Sequence, residues 1–309
     1  MSKLRLIGRV CVGLVLTYSI GCLVAGVVLA EISLHLPKRQ LGDGSRYRAG
    51  VWQEFHVQVQ DVSIAASDQA VLKAWFVEPP NPNGKAVVLL HGITDNRIGV
   101  SGYAYFFLER GYSVLLPDSR EHGVSGGAVA TYGILERYDV QRWVAWVRER
   151  SPGCTYLLGE SMGAAIGLQA TAVTLQLCAV AVESPYSTFR EIGYERLGHQ
   201  TGLGTGFWRT VGRPVLEVAI WYAGARYDVN LPMAEPKSAV EVSRVPTLLI
   251  AGTADLNIPP HNAVELEKVC ASHCALWMVP GAKHGGVSTV APVEFQRRIL
   301  DWFQGHDSR

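Results

Sequence analysis

The stretch Leu157-Leu158-Gly159-Glu160-Ser161-Met162-Gly163-Ala164-Ala165-Ile166-Gly167 decides how the chain is read. An apolar run, Thr155 to Leu158, leads directly into a serine with a glycine two residues away on each side. Small residues then continue from Met162 to Ala172. A short continuous apolar run reads as a strand buried on both faces, and a run of small residues as a tightly packed helix. Ser161 therefore stands at a strand-to-helix turn. Whether that turn is only a turn depends on its surroundings.

The surroundings repeat the pattern. Ala86–Leu90, Ser113–Leu116, Ala179–Val182, Thr247–Ile250 and Ala275–Val279 are further buried-strand runs. Helical segments lie between them: one around Ser101 to Arg110, one from Tyr132 to Arg150 with Ile134, Leu135, Val140, Trp143, Val144 and Val147 at helical spacing, and a closing one from Pro292 to Phe303. Strands alternating with helices specify a mostly parallel central sheet with helices on both faces. Before this block, Phe55, Val57 and Val59 alternate with polar neighbours and read as a half-buried strand, followed by a second at Leu72–Val77. Residues 186–240 interrupt the rhythm. They are rich in aromatics and glycines and contain no buried-strand run, so they read as a helical lid insertion over the sheet.

In an open parallel sheet, ligands bind at the carboxyl ends of the strands. The polar residues that follow each buried strand are therefore the candidates. They are His91-Gly92-Ile93-Thr94, Asp118-Ser119-Arg120-Glu121-His122-Gly123, Gly159-Glu160-Ser161-Met162-Gly163, Glu183-Ser184, Gly252-Thr253-Ala254-Asp255 and Lys283-His284-Gly285. One edge of the sheet thus gathers Ser161, Asp255 and His284, in that chain order. A serine hydroxyl becomes a useful nucleophile only when a base takes its proton. His284 is the candidate base and Asp255 the candidate orienter of its ring, with Glu183 the rival acid and Asp228 a more distant one. His91 and His122 read as structural residues of their loops, and Arg120 with Glu121 as a loop ion pair of little energetic weight.

Gly-x-Ser-x-Gly on a strand–turn–helix, followed by Asp and then His, resembles the alpha/beta-hydrolase superfamily. The details are similar to its bacterial esterase and serine-aminopeptidase-like branches: His91-Gly92, DSREHGVSGG at 118–127, VPTLLIAGTADLNIPP at 245–260 and His284-Gly285. The resemblance covers roughly residues 55 to 305 and implies an alpha/beta-hydrolase fold. It also implies a Ser161–Asp255–His284 triad, with Gly159 and Gly163 shaping the nucleophile turn. The backbone N–H groups of Met162 and, by resemblance alone, Ile93 would form the oxyanion hole. The expected activity is cleavage of a carboxylic ester through an acyl-enzyme, on a small-molecule ester or acyl substrate, with no metal and no cofactor. A peptidase or amidase, a thioesterase, or a non-catalytic tethered binding domain are the alternatives.

The N-terminus is a separate problem. Lys3, Arg5 and Arg9 make residues 1–9 cationic, and Val10–Ala30 is an uncharged run of 21 residues. As a helix rising about 1.5 Å per residue it matches the roughly 30 Å hydrocarbon core of a bilayer. The expectation is a single-pass transmembrane anchor at 10–30, a linker at 31–50, and a hydrolase domain at 51–309. A signal peptide cleaved after Val28-Leu29-Ala30, releasing a secreted form, remains open, since small residues occupy that site. Lipoprotein processing at Cys22 is weaker, because Ser19 stands where a leucine is expected. The cluster before the span favours an extracytoplasmic hydrolase domain, although Lys38, Arg39, Arg46 and Arg48 follow it.

The bulk composition excludes other classes. With 309 residues, 48% of them hydrophobic, the chain can bury a large core, and a net charge of +1 argues against nucleic acid as a partner. Cys11 and Cys22 fall in the apolar span. In an oxidising compartment Cys270 can pair with Cys274, and Cys154 with Cys178 if their strands are neighbours; otherwise these are four buried thiols. No C-x-x-C spacing points to zinc.

Overall fold

The computed structural model describes residues 3–307; the first two residues of the cationic segment and the last two of the chain lie outside the described residues. Helix α1 (Lys3–Leu34) is followed by α2 (Ser45–Phe55) and strands β1 (Gln60–Ala65), β2 (Val71–Val77) and β3 (Ala86–Leu90). Then come α3 (Ser101–Leu108), β4 (Ser113–Pro117), α4 (Glu136–Arg148), β5 (Thr155–Glu160), α5 (Met162–Ala170) and β6 (Leu177–Glu183). Three helices, α6 (Phe189–Thr201), α7 (Gly204–Arg209) and α8 (Arg213–Tyr227), lead through a 3-10 turn at Leu231–Met233 to α9 (Pro236–Val242). The chain ends with β7 (Thr247–Gly252), α10 (His261–Cys270), β8 (Cys274–Val279), α11 (Val287–Val290) and α12 (Pro292–Gln304).

The strands form one eight-stranded sheet in the order β1-β2-β4-β3-β5-β6-β7-β8. β2 runs antiparallel to both of its neighbours, and every other pair is parallel. Because side chains alternate along a strand, each buried run feeds two cores. Val88 and Leu90 pack with Trp143, Val144 and Val147 of α4 and Ile166 and Leu168 of α5 on one face. Val87 and Leu89 pack with Phe106 and Phe107 of α3 and Phe295, Ile299 and Phe303 of α12 on the other. This double burial explains why the runs carry no polar alternation.

Two expectations about the region before the sheet are corrected. Residues 55–59 are not a strand: Phe55 closes α2, and the edge strand is β1 at Gln60–Ala65. Tyr47, Val51 and Phe55 recur every four residues, with Tyr47 and Val51 buried, which is a helical stripe. β1 has no fully buried residue: only Val62 and Ile64 alternate inward, half-buried against the core, so its apolar signal is short and weak. The segment 31–50 is likewise not all linker. α1 continues to Leu34, and α2 begins at Ser45 after Gly44 in the left-handed region (φ 65°).

Neighbouring β5 and β6 bring Cys154 and Cys178 together, and the structure joins them as a disulfide with a Cα–Cα distance of 5.6 Å. Cys270 and Cys274 are joined in the same way. Arg120 and Glu121 do not pair with each other. Arg120 is buried and makes two 2.8 Å hydrogen bonds to the Asp139 carboxylate and a third to Asp68, while Glu121 pairs with Lys38.

Candidate active site

The turn between β5 and α5 holds Ser161 at φ 57°, ψ −115°, a conformation that a side-chain-bearing residue adopts only under constraint. The constraint is visible. The Ser161 N–H donates to the Glu183 carbonyl (2.9 Å), and the flanking glycines allow strand, turn and helix to touch backbone to backbone. A Cβ on Gly159 would stand 2.5 Å from the Gly163 carbonyl oxygen, and one on Gly163 would stand 2.4 Å from that of Leu90. Both positions require glycine because of close approach, whatever their dihedral angles.

The structure brings the three residues together. Ser161 Oγ lies 2.9 Å from His284 Nε2, and His284 Nδ1 lies 2.8 Å from Asp255 Oδ2. The other Asp255 oxygen accepts the backbone N–H groups of Asn257 and Ile258, each at 2.9 Å. Burial opposes the Asp255 charge, but the hydrogen bond from His284 and these amides hold its carboxyl below the usual carboxylate range. Ser161 and Asp255 are buried; His284 is half-buried.

Glu183, the rival acid, faces elsewhere. Its Oε1 accepts the Val287 N–H at 2.8 Å, and burial pushes its carboxyl up to about 7 against that bond. Asp228 caps α8 in the left-handed region. His91 and His122 are loop braces: Nε2 of His91 accepts the Ser119 N–H, and Nε2 of His122 accepts the Thr94 N–H. Burial, with His122 nearby, pushes His91 down to about 4, so it stays neutral and fit for this accepting role.

Met162 is the first residue of α5, where helix geometry leaves the N–H without an intrahelical acceptor. Gly92 abuts Ser161: a Cβ on the glycine would stand 3.5 Å from that of the serine. Ile93, the next residue, lines the same cavity as Ser161, Met162 and His284. That cavity has a volume of about 380 Å³. Of the aromatics in the insertion, Tyr186 and Phe189 line it, and most of the remaining lid contribution is aliphatic, from Ile192, Leu197, Leu216 and Ile220.

Two features escaped the sequence. Glu160 is half-buried beside the His284 loop, with a Cβ on Gly285 placed 2.5 Å from its Oε1; Tyr103 reaches Glu160 at 3.4 Å and Ser288 at 3.3 Å. Burial raises the Glu160 carboxyl. Nothing in a local motif announces a tyrosine from α3, because the contact depends on how α3 and the His284 loop meet. The second feature is that Leu29, Ala30, Ile32 and Ser33 of α1 line the cavity, although the sequence presents them only as an anchor and its linker.

Comparisons with known proteins follow the same lines. The model of the alpha/beta hydrolase family matches residues 87–297. The uncharacterized protein YqkD of Bacillus subtilis is 26% identical over 218 residues, covering 69% of this chain and 68% of that protein. YfhR of Escherichia coli K12 is 25% identical over 236 residues, covering 73% of each. Among solved structures, the Pyrococcus furiosus esterase Pf2001 superposes with a TM-score of 0.71 at 23% identity, covering 89% of this chain and 99% of that one. A puromycin-hydrolyzing peptidase of Mycobacterium tuberculosis gives 0.64 at 17% identity, covering 82% and 40%. A family match over more than two hundred residues, on this sheet order and with this serine turn, establishes that the chain belongs to the alpha/beta hydrolase family.

Proposed function

We propose that this protein is a membrane-anchored serine hydrolase that cleaves carboxylic esters through an acyl-enzyme. The observation that carries the reading is the continuous Ser161–His284–Asp255 hydrogen-bond relay, whose Ser161 and His284 line a mainly apolar cavity. Ser161 Oγ attacks the ester carbonyl carbon while its proton passes to His284 Nε2. Asp255 holds the other ring nitrogen protonated and stabilises the imidazolium. The tetrahedral oxyanion accepts hydrogen bonds from the N–H groups of Met162 and Ile93, the former reinforced by the α5 N-terminus. Collapse expels the alcohol, which takes the proton from His284. Water then repeats the sequence on the acyl-enzyme, releasing the acid and restoring the serine.

The lining favours an ester over a free amino-terminal peptide. No carboxylate side chain contributes to the cavity wall among the described residues, so nothing there would receive an α-ammonium group. Membrane retention is supported by the packing of α1. The Tyr18 hydroxyl donates to the Val211 carbonyl, Gly26 is close-packed on Val218, and the Glu31 carboxylate accepts the hydroxyls of Tyr222 (2.6 Å) and Tyr227 (2.8 Å). Arg5–Leu34 is long and apolar enough to cross a membrane, a test that a signal sequence also passes. Cleavage after Ala30 would remove two of the cavity's lining residues.

The test is labelling of the full chain with a fluorophosphonate, together with turnover of p-nitrophenyl butyrate. Wild type should label and turn over, and Ser161→Ala should do neither. Equal behaviour of the two refutes the reading.

A further inference from the structure

α1 is more than a tether. It lies along α8 from Tyr18, in the middle of the apolar span, to Glu31 at its end, a distance of about 20 Å at helical rise. Its buried positions, Cys22, Gly26, Ala30 and Leu34, recur every four residues and form one stripe against the protein body. The packing leaves no slack, since a Cβ on Gly26 would stand 2.6 Å from Val218. At the end of this stripe α1 becomes a wall of the cavity that contains Ser161. Ile32 belongs to that wall and is also 60% exposed, so through it the cavity lining meets the outer apolar surface of the span.

The lid continues the same surface. Leu203, Val211 and Trp221 are exposed on the segment that accompanies α1. Three of its arginines are paired: Arg209 with Glu191, and Arg190 and Arg213 with Glu217. Because Val211 stands beside Tyr18, a bilayer that surrounds the span also meets this part of the lid. A cavity bounded by this apolar helix and lined mainly by aliphatic and aromatic side chains, with Arg196 and Gln200 as polar members of the wall, suits a hydrocarbon chain that never passes through water.

We propose that the substrate is a long-chain acyl ester taken from the bilayer, with its acyl chain held between α1 and the lid and its carbonyl delivered to Ser161. This rests on the serine-hydrolase reading above and adds to it the substrate class and a binding role for α1.

The test uses the full chain in phosphatidylcholine vesicles. The probes are p-nitrophenyl palmitate dissolved in the vesicles and p-nitrophenyl butyrate in the water. Two variants alter the α1 wall: Ala30→Trp, which fills the buried side, and Ile32→Asn, which changes an exposed position that the fold does not need. Both should lower the ratio of palmitate to butyrate kcat/KM by about tenfold or more, as expected when several methylenes lose their burial. An unchanged ratio in an Ile32→Asn protein that still labels at Ser161 overturns the proposal. So does a wild type that hydrolyses palmitate ester in detergent micelles but not in vesicles. If neither ester turns over and Ser161 does not label, it is the hydrolase reading that fails.

Discussion

The substitution Glu183→Gln separates the two carboxylates near His284 and tests the electrostatics of the site. Glu183 is buried, its Oε1 takes one backbone amide, and its Oε2 has no hydrogen-bond partner among the described residues. Burial raises its carboxyl from the ordinary 4.5 to about 7. Between these values the folded protein binds more protons than the unfolded chain, so stability falls as pH rises through the window and levels off above it. A shift of this size corresponds to about 3 kcal/mol. Glutamine keeps an oxygen for the Val287 N–H and carries no charge, so the variant should lose this slope. At pH 8 it should be more stable than wild type by about 2–3 kcal/mol, or roughly 5 °C in Tm. Thermal unfolding of the detergent-solubilised full chain at pH 5, 6, 7 and 8 measures this. Ester turnover on the same samples decides the role: Glu183→Gln should stay within about tenfold of wild type, whereas Asp255→Asn should fall about 10⁴-fold, as when a triad loses its orienting carboxylate. An inactive Glu183→Gln beside an active Asp255→Asn would reassign the acid. A Glu183→Gln protein that is less stable at pH 8 and keeps the slope would refute the burial argument.

Other substitutions probe the scaffold. Gly159→Ala should displace the nucleophile turn, because the new Cβ meets the backbone of Gly163; kcat should drop about 100-fold, the scale expected for a misplacement near 1 Å, and fluorophosphonate labelling should slow in parallel. Arg120→Met leaves Asp139 buried without its partner and should cost about 3–5 kcal/mol in urea unfolding, most of which the double variant Arg120→Met/Asp139→Leu should recover. Replacing Cys154 and Cys178 together by alanine opens a link spanning 24 residues and should lower stability by about 3 kcal/mol under oxidising conditions, with no difference from wild type in strong reductant.

The legibility of this chain follows from where each signal resides. Strands β3 to β7 were readable because double burial demands continuous apolar runs, as in Ala86–Leu90 and Thr247–Ile250, whereas β8 at the sheet edge is mostly half-buried despite its apolar run. The exposed edge strand Gln60–Ala65 carries no such demand, and the stripe of Tyr47, Val51 and Phe55 is masked by the apparent alternation of Phe55, Val57 and Val59 at its end. Ser161, Asp255 and His284 could be named in advance because a parallel sheet puts the residues after its strands on one edge. Their order along the chain then matched a known pattern.

Distances and partners belong to the tertiary structure. That Asp255 rather than Glu183 meets His284 depends on which way two loops turn at adjacent strand ends, β6 and β7, and both are plausible acids by position. Arg120 finds Asp139 nineteen residues away, a pairing set by the docking of α4. The role of α1 is the clearest case. By itself the sequence determined that residues 10–30 are apolar and long enough to span a bilayer, because length and hydropathy are local properties. Only the fold decided that the end of that helix lines the same cavity as Ser161, because a cavity exists only where α1, the lid and the β5–α5 turn converge.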